Sequence, residues 1–258
     1  MVANVQTVTK MVDKIQKEFG TVIMDEAHHT PATTFTNIVD NMHARYRIAL
    51  SGTMQRKDGK HILFKDIFGP IIHKPPQNNT LNPLVKIIKT GRKLLPGAPW
   101  VKKINNLMED YDYQHFIAGL AEALASKGHK VLVIAERVGF LNSITNILGK
   151  QAVAVTGETK DRDEIFERIK TPELNIIAGS RHIFAEGVSV NCLSCVILAC
   201  PIAGTTLLEQ VIGRVMRLYP GKLHPEVLDL HFAGTDSKKH NNLRLAFYME
   251  KDWDIVGV

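Results

Sequence analysis

The sequence predicts an α/β fold built on parallel sheets, and two observations carry that expectation. Short continuous runs rich in Val and Ile recur along the chain, and segments of helical period separate most of them. Continuous rather than alternating apolar runs mark strands buried on both faces, as in a parallel sheet covered by helices. The runs are Thr21–Met24, Tyr46–Leu50, Val131–Ala135, Ala152–Thr156, Asn175–Ala178, Cys195–Ala199 and Val227–His231, with Ala3–Val8 as a further short candidate. Helices are expected at 112–126, 138–149, 161–170, 205–217 and 238–250.

Between residues 69 and 100 the chain breaks this rhythm. Phe68-Gly69-Pro70 leads to Pro75-Pro76-Gln77-Asn78-Asn79, then to Pro83, Gly91, Pro96-Gly97 and Pro99. Such a density of turn formers predicts a boundary. The expected division is a first lobe at 1–74, a linker at 75–110 and a second lobe at 111–258, with Leu84–Lys89 able to form an edge strand of the second lobe. Two or three strands are few for an independent α/β domain, which usually needs about 100 residues or more.

A chain of 258 residues that is 45% hydrophobic and 22% charged can bury enough apolar surface to offset backbone ordering, which excludes disorder as its main state. Stretches such as Val131–Ala135 and Val196–Cys200 fall far short of the roughly 20 apolar residues of a bilayer span, so no membrane partner is expected. The amino terminus has neither a basic head nor a long apolar body, and no secretory leader is expected. Cys192, Cys195 and Cys200 make a poor disulfide framework and suggest a reducing cytoplasm. Thirty-two basic against 26 acidic residues give a net charge of +6. That excess fits a polyanionic partner and an ordinary basic surface equally well.

Three strings carry chemistry. In Thr21-Val22-Ile23-Met24-Asp25-Glu26-Ala27-His28-His29, four apolar residues end in two carboxylates. Asp25 and Glu26 therefore fall at the carboxyl end of a buried strand, where open α/β sheets bind ligands. One carboxylate there can hold a hydrated Mg²⁺, and the other can orient a water that attacks a phosphate. A solvated strand end or helix cap is the alternative. Leu50-Ser51-Gly52-Thr53-Met54 closes the next strand. In the last string, Leu208–Arg217, a helix would place Gln210, Arg214 and Arg217 at i, i+4 and i+7 on one face. Two guanidiniums and an amide on one face suit the capture of phosphoryl oxygens; a surface helix with ordinary salt bridges is the alternative.

Together these strings resemble the superfamily 2 helicases and translocases. Asp25-Glu26-Ala27-His28 matches their Walker B motif, Ser51-Gly52-Thr53 their motif III, and Gln-x-x-Gly-Arg-x-x-Arg at 210–217 their motif VI. Val131–Ala135 with Glu136-Arg137 looks like motif IV, and Ile176–Ser180 through Glu186-Gly187-Val188-Ser189 looks like motif V. Val5-Gln6-Thr7-Val8 is similar to the nucleic-acid contact that precedes Walker B. Met54–Lys60, Phe68-Gly69 and the tail His240–Arg244 with Tyr248 look like phage and restriction-type enzymes, and most like the phage UvsW-type branch-migration DNA helicases.

The resemblance implies two RecA-like parallel-sheet lobes, the first incomplete, that sandwich ATP. Asp25 would hold Mg²⁺ and Glu26 would position water, while Gln210, Arg214 and Arg217 reach the γ-phosphate from the other lobe. His28, Ser51, Gly52 and Thr53 would couple the nucleotide state to lobe movement. Gly187 and Ser189 would touch nucleotide and nucleic acid, and Gln6, Thr7, Arg56, Lys57 and Lys60 would meet the backbone of DNA or RNA. A bacterial or phage-infected host cytoplasm would be the setting.

One family feature has no match. The phosphate-binding loop, Gly-x-x-x-x-Gly-Lys-[Ser/Thr], does not occur in the 258 residues. The pairs Gly59-Lys60, Gly149-Lys150 and Gly221-Lys222 lack both the leading glycine and the following hydroxyl. The chain therefore reads as truncated before Walker B, with a separate P-loop-bearing amino-terminal segment as the expected complement. A catalytically inactive nucleic-acid-binding or regulatory module with the helicase fold is the alternative. Other constellations are weaker: Cys192-x-x-Cys195 has no second pair to make a zinc site, and Trp100 and Trp253 read as packing anchors.

Overall fold

The structure, a computed structural model, describes residues 1–25, 27, 32–51, 66–70, 73, 80–180, 183–184, 190–202 and 204–257, apart from the side chains at 32, 33, 35, 206 and 236. The chain forms two units, Met1–Pro76 and Gln77–Val258.

In the first unit, helix α1 (Val5–Ile15) opens on Asn4, whose Oδ1 accepts a 2.8 Å hydrogen bond from the Thr7 backbone N–H. That cap satisfies a donor that a helix leaves orphaned at its start. Val5, Val8, Val12 and Ile15 then recur at helical spacing, and Val12 and Ile15 bury against Ile38 and Met42. The strand expected at Ala3–Val8 is thus the first turn of a helix. Two parallel strands follow, β1 (Thr21–Met24) and β2 (Tyr46–Ala49), joined through helix α2 (Ala32–Asn41) and in register from Thr21↔Tyr46 to Met24↔Ala49. Val22, Met24 and Ala49 pack toward the helices, with Met24 and Ala49 against Val39.

The second unit holds a seven-stranded sheet. Its strands are β3 (Leu84–Lys93), β4 (Val131–Ala135), β5 (Ala152–Val155), β6 (Ile176–Ser180), β7 (Cys195–Leu198), β8 (Glu226–Ala233) and β9 (Ile255–Gly257). They lie in the order β5-β6-β4-β7-β8-β3-β9, and every pairing is parallel. The helices are α3 (Trp100–Glu109), α4 (Tyr111–Ala125), α5 (Val138–Leu148), α6 (Arg162–Arg168), α7 (Thr205–Met216) and α8 (Thr235–Glu250). Strands β4 and β7 are buried along their whole length, as a sheet covered on both faces requires.

The segment expected as a linker, 75–110, differs from that reading. From Gln77 onward it belongs to the second unit, and β3 is an interior strand between β8 and β9 rather than an edge. The prolines flank the strand instead of interrupting it, so its ladder of amide donors survives. Gly91, at φ +68°, takes up the irregularity in pairing between Lys89 and Lys93.

A buried charge network fastens α8 to β8. Arg244, 2% exposed, donates from Nε to both carboxylate oxygens of the fully buried Asp229 at 2.9 Å, and from its terminal nitrogens to the Ile202 and Leu230 carbonyls and Asn241 Oδ1. The Tyr248 hydroxyl donates to Asp229 Oδ2 at 3.0 Å, and His231 Nε2 lies 3.2 Å from the same oxygen. Burial alone would raise the Asp229 pKa, but the His231 and Arg244 hydrogen bonds and charges outweigh it and hold the carboxyl below its ordinary range. Trp253 closes the cluster by stacking on Tyr248 at 5.9 Å.

Breaking a buried pair leaves an uncompensated charge. We expect Arg244→Met to destabilise the second unit by about 3–5 kcal/mol, and Tyr248→Phe by about 1.5–3 kcal/mol, in urea unfolding. Because the folded carboxyl titrates lower than the unfolded one, its contribution is present above the unfolded pKa near 3.9 and lost as pH falls through the folded value.

Candidate functional site

In the first unit the parallel register sets β1 and β2 side by side, so both strands end at one edge. Leu50 donates its N–H to the Met24 carbonyl at 2.8 Å, and Ala27 donates back to the Leu50 carbonyl at 3.1 Å. Ala27 is 1% exposed and packs with Met24 and Val39. The residue pairs that follow the two strands are therefore laced together, with the exposed Asp25 on one and the half-buried Ser51 on the other. The structure brings Asp25 and Ser51 to adjacent strand ends, as their positions in the sequence suggest. Gln6 and Thr7 lie exposed in the first turn of α1. Glu26, His28, Gly52, Thr53, Arg56, Lys57 and Lys60 lie outside the described residues.

In the second unit the site is built on α7 and on the connection that leaves β6. Gln210 and Arg214 lie one helical turn apart on α7, both half-buried. Arg217 does not share that helix. The helix ends at Met216, and Arg217 takes an extended conformation, φ −64° and ψ 140°, forming an antiparallel bridge with Thr80 while Leu81 donates to the Met216 carbonyl at 2.9 Å. The expected i, i+4, i+7 face is therefore limited to Gln210 and Arg214. Pro220, three residues on, is the sequence signal for that stop.

Both arginines are held by the β6–β7 connection. Arg214 Nε donates to the Phe184 carbonyl at 3.1 Å, and Arg217 Nη1 donates to Asn191 Oδ1 at 3.4 Å. Phe184 is fixed in turn: its ring is fully buried, meets Phe166 edge-on at 6.2 Å between centroids, and fills the space where a side chain on Gly179 would begin. Only glycine fits at 179 with the ring in that place. Gly187 and Ser189 fall in the same connection, outside the described residues.

Lys222 completes this corner, and motif reading missed it. Its Nζ donates to the Arg217 carbonyl at 2.6 Å and to the Asn191 carbonyl at 3.1 Å, tying the end of α7 to the residue that holds the Arg217 guanidinium. Burial, helped by the neighbouring Arg217 charge and opposed by Cys192, lowers its pKa to about 8. The only hint in the sequence is a lysine after the Pro220-Gly221 turn.

The three cysteines are buried and form no disulfide, and burial pushes the Cys192 and Cys195 thiols up. Among the described residues no three His, Cys, Asp or Glu side chains cluster as metal ligands, and no helix is long and apolar enough to cross a membrane.

Comparison with known proteins follows these lines. Residues 114–219 match the helicase conserved C-terminal domain, and residues 1–56 match the type III restriction enzyme res subunit. The probable helicase D10 of Escherichia phage T5 is 38% identical over 263 residues, a match that takes in 99% of this chain and 58% of the relative. The chain is thus similar to the superfamily 2 helicases. Within them it is similar to the phage UvsW type. The ATP-dependent DNA helicase uvsW of Enterobacteria phage T4 is 25% identical over 256 residues, covering 92% of this chain and 51% of that protein. The crystal structure of T4 UvsW superposes with a TM-score of 0.57 at 23% identity, over 98% of this chain and 56% of that one. The fold is thus the RecA-like α/β fold of helicases, and the chain spans about half the length of the curated relatives it matches.

Two outcomes test this corner. Gly179→Ala should displace the Phe184 ring and cost roughly 1–3 kcal/mol, measured by urea unfolding; an unchanged midpoint would show that the ring yields freely. For Lys222, unfolded lysine titrates near 10.4, so between about pH 8 and that value the unfolded chain holds a proton the folded chain has released. Stability should rise with pH across that window and be flat with respect to this group below it. Lys222→Met should remove the rise when unfolding midpoints are compared at about pH 7.5 and about pH 9.5.

Proposed function

We propose that this chain is the carboxyl-terminal part of an ATP-driven helicase or translocase acting on branched or duplex DNA, with ATP hydrolysed between the two units. The observation that carries the reading is the double anchorage of Arg214 and Arg217 on the β6–β7 connection. Those bonds set the place of two guanidiniums, each a planar fork of charged donors. That disposition suits phosphate recognition.

In this reading Gln210, Arg214 and Arg217 contact the γ-phosphate and stabilise the charge that develops as it leaves, a contribution of about 10³–10⁵ in rate for such an arginine. Glu26 orients and deprotonates the attacking water. Asp25 would hold Mg²⁺, and its chemistry fits that ion: an exposed hard carboxylate at a strand end suits a cation that prefers oxygen donors. The bound ion supplies charge neutralisation of the triphosphate. His28, Ser51, Gly52 and Thr53 transmit the nucleotide state between units, the lacing of Leu50 to Met24 and Ala27 making the two strand ends move as one. Gly187 and Ser189 touch nucleotide and strand. Gln6 and Thr7 use the amino-terminal turn of α1 to meet phosphodiester groups, and Arg56, Lys57 and Lys60 are further basic candidates for the same backbone.

Turnover requires a phosphate-binding loop, which the 258 residues do not contain, and the reading assigns it to another polypeptide segment. That absence equally favours a second reading, a catalytically inactive nucleic-acid-binding or regulatory module. The two separate in one experiment: ATPase measured with and without forked DNA, for the chain alone and after addition of a P-loop-bearing segment. Restored, DNA-stimulated turnover that Arg217→Ala lowers by about 10³-fold or more is the expected result. Salt-sensitive DNA binding without turnover under any condition would establish the second reading instead.

A further inference from the structure

The corner where β3 ends holds a pocket that none of the sequence motifs touches. Its volume is about 250 Å³; Arg92 and Lys93 line it from the strand end, and Lys103, Asn106 and Asp110 from α3 and the turn into α4. That volume lies below the roughly 300 Å³ at which pockets for drug-sized ligands begin, so it suits a small group rather than a whole nucleotide. Three cationic side chains line it against one carboxylate, and that carboxylate is committed within the fold. Asp110 Oδ1 accepts the Tyr113 N–H at 2.9 Å to cap α4, and Oδ2 accepts from Arg92 Nη1 at 2.5 Å. The bond takes one of the five N–H donors of the guanidinium, which also lies 5.5 Å from the centre of the buried Tyr113 ring. Lys93 is exposed at the strand end, whereas Lys103 is only 8% exposed.

We propose that this pocket is an anion site for a phosphoryl group, held by the fork of Arg92 and the ammonium groups of Lys93 and Lys103, with the Asn106 amide as a neutral donor. An arginine fixed by a carboxylate and a ring has little rotamer freedom left to lose on meeting an anion, and a lysine adds charge without demanding one direction. The pocket lies where open α/β sheets take their ligands, beyond the carboxyl ends of the strands. Every pairing in the sheet is parallel, so β4 ends on the same edge, three strand spacings or about 14 Å away. There Arg137 donates from Nε to Asn105 Oδ1 at 2.7 Å, tying that strand end to α3 one residue before Asn106. Basic side chains that recur along one edge suit a ligand whose phosphates recur, so a nucleic-acid strand is the favoured source and a free phosphate ester the other. The strand as source rests on the nucleic-acid reading above; the pocket does not.

The test uses the 258-residue chain and needs no turnover. Binding of a single-stranded oligothymidylate, followed by fluorescence anisotropy across a range of KCl, should weaken with salt. Lys93→Gln and Lys103→Met should each reduce affinity about 10-fold at low salt and lower the slope of log K against log salt by about 0.7. Lys150→Gln, just before the amino end of β5 and so at the opposite edge of the sheet, should change neither. Inorganic phosphate, set against chloride at equal ionic strength, should raise the thermal midpoint of the chain, and both pocket variants should abolish that rise. Lys93 is exposed, so its replacement decides the matter if Lys103→Met fails to fold. A phosphate effect lost in the variants beside an unchanged DNA slope would uphold the site and assign it to a free phosphate ester. If the parent chain binds no DNA, the nucleic-acid reading ends, and the phosphate response alone then upholds or overturns the pocket. A DNA slope and a phosphate response that are both indifferent to Lys93→Gln would overturn the proposal.

Discussion

The close packing of the Phe184 ring on Gly179 fixes the corner where β6 meets the end of α7. Glycine at the carboxyl end of β6 leaves a space that an aromatic ring fills, and the ring sets where the Phe184 carbonyl lies. Arg214 takes its bearing from that carbonyl, and Arg217 takes its own from Asn191 farther along the same connection. A long, flexible guanidinium is thereby held with less rotamer freedom left to lose on meeting a ligand. Packing deep in the sheet thus reaches the cationic groups through two hydrogen bonds.

Fixed charges in the second unit divide into two kinds. Asp229 and Arg244 are buried, mutually paired and fully hydrogen-bonded, and they hold α8 to β8. Arg214, Arg217 and Lys222 are half-buried, and each donates to a carbonyl or amide oxygen of the corner they share. Burial of the Lys222 ammonium lowers its pKa to about 8. In the first unit the equivalent economy is absent: two parallel strands carry an acidic strand end, but one face of the sheet has nothing described against it.

Much of this was legible in the sequence because buried parallel strands write themselves as continuous apolar runs. Each of the seven main runs contains or overlaps an observed strand, and the five expected helices are present with ends shifted by a few residues. The failures have local causes. Ala3-Asn4-Val5-Gln6 alternates apolar and polar as a strand would, but Asn4 caps a helix and Val5, Val8, Val12 and Ile15 recur with helical period. Leu84–Lys89 could be read as an edge strand but not as an interior one, because prolines surround it and its partners β8 and β9 lie far along the chain. Of the site, the positions of Asp25, Ser51, Gln210 and Arg214 on their elements could be read from pattern. Pro220 signalled the stop before Arg217, but the tether from Lys222 to Asn191 joins residues 31 apart, and the role of Gly179 depends on how the Phe184 ring turns back onto the strand.

The proposed function turns on Asp25 and Arg217 serving a single triphosphate. A double-mutant cycle on ATP turnover in the complemented assembly, using Asp25→Asn, Arg217→Ala and both together, tests it most directly. Groups acting on one transition state are strongly non-additive, and the account predicts a double variant about as slow as the worse single one. Effects that simply multiply would contradict it, placing the two residues at independent sites.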